Sequence, residues 1–115
     1  MKWSPRFPVR KGRAAPLLKI GVERDSRDLY VWAGVSVAGQ TMAFASTSGS
    51  HPSQRVRVFG DCICIGMHVE IERGQMTRIV QWLRAEGVEV EVEPDSPHAA
   101  DLAALTAEAG EGAPA

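Results

Sequence analysis

Residues 60–87 read GDCICIGMHVEIERGQMTRIVQWLRAEG, and this stretch decides the fold. From Cys62 to Glu72 the residues alternate, with Ile63, Ile65, Met67, Val69 and Ile71 on one face and Cys62, Cys64, Gly66, His68, Glu70 and Glu72 on the other. The spacing therefore predicts one eleven-residue strand with an apolar core face. After Arg73-Gly74 the period changes: Met76, Ile79, Val80 and Leu83 fall at i, i+3, i+4 and i+7 and form the stripe of an amphipathic helix. Trp82 lies at the edge of that stripe, and Gly87 is placed to end the helix in a left-handed conformation. Neither element can bury its apolar side alone, so the helix is expected to lie across the isoleucine face of the strand.

Working outward, the same alternation recurs. Leu17–Glu23 and Asp28–Val37 flank the polar loop Arg24-Asp25-Ser26-Arg27, a hairpin that would set Val22 opposite Leu29, Ile20 opposite Val31 and Leu18 opposite Ala33. Ala38-Gly39 offers the next turn. It would pair Val35 with Met42 and Ala33 with Phe44 on the core face, and Trp32 with Ala45 and Gly34 with Ala43 on the other. Residues 46–54 are a loop by composition. Arg55–Phe59 returns to Cys62 through Gly60-Asp61, and Val88–Glu93 is a strand with an acidic face that belongs at an edge, where charge discourages further pairing. The expected fold is α+β: a curved, mostly antiparallel meander of five or six strands with one helix on one face. Residues 1–16 read as a basic, proline-containing arm, 17–93 as the domain, and 94–115 as an acidic alanine-rich tail with a short helix near Ala99–Ala109.

The 115 residues support one domain, long enough to bury roughly 65% of its unfolded surface. Net charge is −1 but segregated: residues 1–16 hold five bases and no acid, whereas eight acids and no Lys or Arg follow Ala85. Two cysteines two residues apart give no disulfide framework, and neither a signal-peptide run nor a membrane-length apolar stretch is present. A reducing, cytoplasmic setting is the expectation.

Candidate sites follow from the face opposite the helix. It would present Tyr30, Trp32, Phe59, Cys62, Cys64 and His68 with Arg55 and Arg57, more apolar than a solvated sheet face should be. A second core, a homodimer or a partner would each cover it. Cys62, Cys64 and His68, with His51 from a loop, are zinc-type ligands, but on a straight strand His68 lies roughly 13 Å from Cys64 and only a bend at Gly66 would close the gap. The same distance opposes a Cys64–His68 nucleophile pair. No metal or cofactor is therefore assigned, and no catalytic constellation points to an enzyme. Aromatic and arginine side chains on an antiparallel sheet suit single-stranded nucleic acid, which the acidic end would repel. The strand-to-helix run Val69, Ile71, Met76, Ile79, Val80, Leu83 resembles that part of single-strand-binding proteins related to the transcriptional coactivator PC-four, over less than a quarter of the chain, a pattern many small domains share.

The leading expectation is a non-enzymatic interaction module that binds a larger protein, of the kind found among phage or mobile-element accessory proteins and inhibitors of host machinery. Its contacts would come from Tyr30, Trp32, Arg55, Arg57 and Phe59, or from Glu89, Glu91 and Glu93 acting as phosphate mimics. The alternative is a sheet that binds single-stranded nucleic acid.

Overall fold

The computed structural model describes residues 1–10, 15–24, 28–48 and 56–112, with the side chains of 48 and 106–112 excepted. Strands β1 (Lys2–Trp3), β2 (Phe7–Pro8), β3 (Leu17–Arg24), β4 (Leu29–Val37) and β5 (Gln40–Ser48) form one antiparallel sheet, in which both short strands pair with β3 and the rest run β3-β4-β5. Strands β6 (Val56–Phe59), β7 (Cys62–Cys64), β8 (His68–Glu70) and β9 (Val90–Val92) form a second sheet in the order β8-β7-β6-β9. Helix α1 (Arg73–Ala85) joins β8 to β9, and α2 (Ala99–Gly112) follows. The class is α+β with antiparallel sheets, although β9 lies parallel to β6 because α1 carries the chain back across the sheet.

The eleven-residue run is two strands. The chain reverses at Gly66, which has φ +70°, and β7 and β8 pair Ile63 with Val69 and Cys64 with His68. Alternation cannot reveal this reversal, since an antiparallel fold-back leaves every isoleucine on its original face. Ile63, Ile65, Val69 and Ile71 are accordingly all buried. The helix stripe Met76, Ile79, Val80 and Leu83 is fully buried in the same cluster, and each such side chain contributes about 1.5–3 kcal/mol. Trp82 packs half-buried at its margin.

Glu72 begins α1 without a side-chain cap. At the other end Gly87, with φ +81°, donates to the Arg84 carbonyl while Val88 donates to that of Leu83, the paired bonds that close a helix through a left-handed glycine. The arm is strapped down: Phe7 and Val9 are buried, and the Ser4 hydroxyl accepts from the Ile20 amide at 2.8 Å. In α2, Leu102 and Leu105 are buried, and Arg73 holds Asp101 at 2.8 Å.

Two registers differ from expectation. In the β3–β4 hairpin Val22 faces Val31, Ile20 faces Ala33 and Leu18 faces Val35, a two-residue slip that keeps every face because side chains alternate with period two. Between β4 and β5 the turn at Ala38-Gly39 forms as expected, with Val37 paired to Gln40. A bulge between Val35 and Ser36 then places one extra residue in β5, so Ala33 meets Ala45 and Gly34 meets Phe44. That single residue turns Phe44 out of the core: it is 55% exposed and Met42 65%, whereas Thr47 is buried in their stead.

Candidate interaction surface on the first sheet

The division into two sheets splits the face that the sequence suggested. Tyr30 and Trp32 lie on the first sheet, and Arg57, Phe59, Cys62, Cys64 and His68 on the second. Arg55 and His51 lie outside the described residues.

On the second sheet, opposite charges meet each other. Arg57 donates to Glu93 at 2.6 Å and lies 3.9 Å from Glu91, and this pairing, Glu93 foremost, pushes the guanidinium's pKa above its ordinary value. The base expected to follow phosphates and two of the acids expected to mimic them therefore neutralise one another. Glu89 is exposed. Arg10 pairs with Glu70 at 2.8 Å on the same sheet's far edge.

The reversal at Gly66 brings Cys64 and His68 into register, correcting the separation inferred for a straight strand. The His68 ring stands edge-on to Phe59 with centroids 4.9 Å apart. Burial first, then the Glu70 and Asp61 carboxylates, push the Cys62 thiol up, against the direction that activates a nucleophile. Among the described residues no group of three or more His, Cys, Asp or Glu side chains could hold a metal ion.

The first sheet is built otherwise. Its outward face carries the cross-strand row Trp3, Gly21, Trp32, Ser46 and beside it the row Lys19, Gly34, Phe44. Glycines put the rings there. A Cβ on Gly21 would stand 2.8 Å from the Trp3 ring, and one on Gly34 would stand 3.3 Å from that of Phe44. Only bare backbone lets both rings lie down on the sheet. Phe44 then stacks on Trp32, centroids 5.5 Å apart and planes 27° from parallel, while the Lys19 ammonium sits 4.7 Å over Trp3. Tyr30, half-buried, reaches Asp28 at 3.4 Å.

The far end of this sheet projects. Gln40, Thr41, Met42, Ala43 and Phe44 are all exposed, whereas Val35 on β4, opposite Ala43, packs half-buried against the core. Among the described residues no strand pairs with the outer edge of β5, and Gly66 in the β7–β8 turn lies against the Ser46 backbone. The twenty residues Leu29–Ser48 contain no Asp, Glu, Lys or Arg, in a chain that is 23% charged. That charge gap was visible in the sequence and marks the surface that strand pairing misassigned to the core.

No helix among the described residues is long and apolar enough to cross a membrane. Searches against protein-family models, curated proteins and solved structures find no match to this chain.

Proposed function

We propose that the protein is a non-enzymatic interaction module whose contact surface for a larger protein is the outward face of the first sheet. The observation that carries this reading is the exposed apolar row on an uncharged hairpin: Met42 and Phe44 open to solvent, Phe44 stacked on Trp32, and Trp3 40% exposed beside them. Exposed aromatic and methionine side chains grouped on a rigid sheet have the composition of interface centres. Their burial by a partner would contribute about 1.5–3 kcal/mol for each side chain fully covered. A role as an accessory protein or inhibitor is consistent with an activity that consists of occupying a surface.

The second reading, single-stranded nucleic acid, draws on the same rings and on Lys19 over Trp3. It is weakened because Arg57, Arg10 and Arg73 are engaged by carboxylates rather than aligned beside the rings. Affinity capture from lysate of the native host, with and without nuclease and at two salt concentrations, separates the two. A nuclease-resistant protein captured by the parent chain and lost with Phe44→Glu supports the module. Nucleic acid recovered alone and released by salt replaces it with the second reading.

A further inference from the structure

We infer that the cavity where the starts of α1 and α2 meet the β6–β7 turn binds a free apolar amino acid, its ammonium held at Asp61 and its carboxylate at the helix starts beside His98. The site shares no residue with the Phe44 face and goes beyond the interaction module proposed above.

Topology makes the cavity. The arm crosses the exit of β8, where the Glu72 amide donates to the Val9 carbonyl at 3.2 Å, and the Ile71 amide donates to the Asp61 carbonyl at 2.9 Å. The Ser96 hydroxyl donates to the Gly60 carbonyl and accepts from the His98 amide, so the segment leading into α2 is pinned beside the same turn. Between these segments lies a space of about 290 Å³. Its wall is layered: Val9, Ile71 and His98 are buried, whereas its charged residues are exposed at the rim.

His98 is the observation that calls for a ligand. The residue is 2% exposed, and neither ring nitrogen has a hydrogen-bond partner among the described residues. A neutral imidazole carries one donor and one acceptor, and a buried polar group left unpaired is destabilising. A carboxylate in the cavity supplies the acceptor that the protein does not.

Charge selects a ligand of both signs. At one end, α1 starts without a side-chain cap and without an acid in its first turn, so its leading amides present the positive end of the helix dipole. Arg73 reaches across to Asp101 through Nε and Nη2, which leaves Nη1 to donate elsewhere. At the other end Asp61 and Glu70 are neighbours, since Cys62 pairs with Glu70 across β7 and β8 and both carboxylates act on the Cys62 thiol. Arg10 holds Glu70 at 2.8 Å, whereas Asp61 has no ion-pair partner among the described residues.

With Glu72, these acids repel an anion that carries no positive group of its own. The helix starts and Arg73 repel a bare cation in the same way. An ammonium and a carboxylate on one small molecule satisfy both ends, and the buried Val9 and Ile71 side chains suit an apolar group between them.

Titration of the full chain with L-valine, L-leucine and L-methionine to about 20 mM, followed in proton–nitrogen correlation spectra, tests the site. At least one should give saturable shifts at Asp61, Glu70, Arg73 and Ala99, with a dissociation constant of about 1 mM. Its amide, which lacks the carboxylate, and the matching carboxylic acid, which lacks the ammonium, should each bind at least tenfold more weakly. Asp61→Asn should weaken the amino acid at least tenfold without weakening the carboxylic acid, and circular dichroism should match the parent because Asp61 is exposed. His98→Phe, which keeps a ring but has no nitrogen to donate, should also weaken the amino acid at least tenfold. Absence of saturable shifts with all three amino acids overturns the inference, as does an analogue that binds as tightly as its amino acid, binding indifferent to Asp61→Asn, or shifts confined to residues outside the cavity. Capture of a protein through Phe44 is measured independently, so the two readings fail separately.

Discussion

The two sheets of this protein treat their exposed surfaces in opposite ways. The second ends in charged strands, and the Arg57 side chain on β6 is held by Glu93 and Glu91. The first ends in a hairpin without a charge, its outward face occupied by Trp3, Trp32 and Phe44 and the β5 side of its tip exposed. Ion pairs among exposed side chains contribute little to stability, but they discourage association. Apolar side chains left open do the reverse. The difference shows where a small domain has been closed to other chains and where it has been left available.

The largest expected effect falls where the two sheets touch. A Cβ at Gly66 would clash with the Ser46 carbonyl oxygen in a backbone with φ +70°, and backbone atoms on both sides cannot give way. Gly66→Ala should cost about 3 kcal/mol in urea denaturation, whereas Gly60→Ala, also at positive φ but surrounded by open space, should cost about 1 kcal/mol. Equal losses at both positions would mean that the sheets do not meet at Ser46.

Phe44→Glu comes next, and its effect should lie in association rather than in folding. Capture of the protein partner should fall at least tenfold while the urea midpoint moves little, since more than half of the ring is already in water. A large loss of stability with capture retained would place Phe44 in the core after all.

Reversing the charged strand should do less. With Glu89, Glu91 and Glu93 all changed to Lys, partner capture should persist, since two of these acids serve Arg57 rather than an outside ligand. Loss of capture at constant fold would transfer the contact surface to the second sheet and revive phosphate mimicry.

The smallest effect concerns the strap between α1 and α2. The Arg73 guanidinium, by hydrogen bonding foremost, holds the Asp101 carboxyl below the usual carboxylate range. A depressed folded-state pKa gives stabilisation that is present above the unfolded value, about 3.9, and is lost as pH falls through the folded one. The thermal midpoint of Arg73→Ala should therefore lie slightly below that of the parent near neutral pH, with the gap closing below about pH 4. A gap that widened on acidification would contradict the pairing.

Within the sequence, composition and period carried some residues to their places and misled on others. Met76, Ile79, Val80 and Leu83 could be assigned to the core because a helical stripe is a local property, and Gly87 marked the helix end for an equally local reason. Met42 and Phe44 could not, because one bulged residue inverts every side chain beyond it and leaves no trace in the pattern. Arg57 and the acidic strand each looked like a binding group when taken alone. Their mutual pairing required β9 to lie beside β6, a contact across 36 positions that no spacing announces.

The sequence by itself determined the α+β class, the buried stripe of α1, the turns at Ala38-Gly39 and Gly60-Asp61, and the absence of charge along Leu29–Ser48, since each depends on neighbours in the chain. The tertiary structure alone decided that the Cys62–Glu72 run folds back on itself, that the strands form two sheets, and that Phe44 faces outward. Those outcomes turn on reversal, register and partner choice, and a period-two pattern has the same appearance under all three.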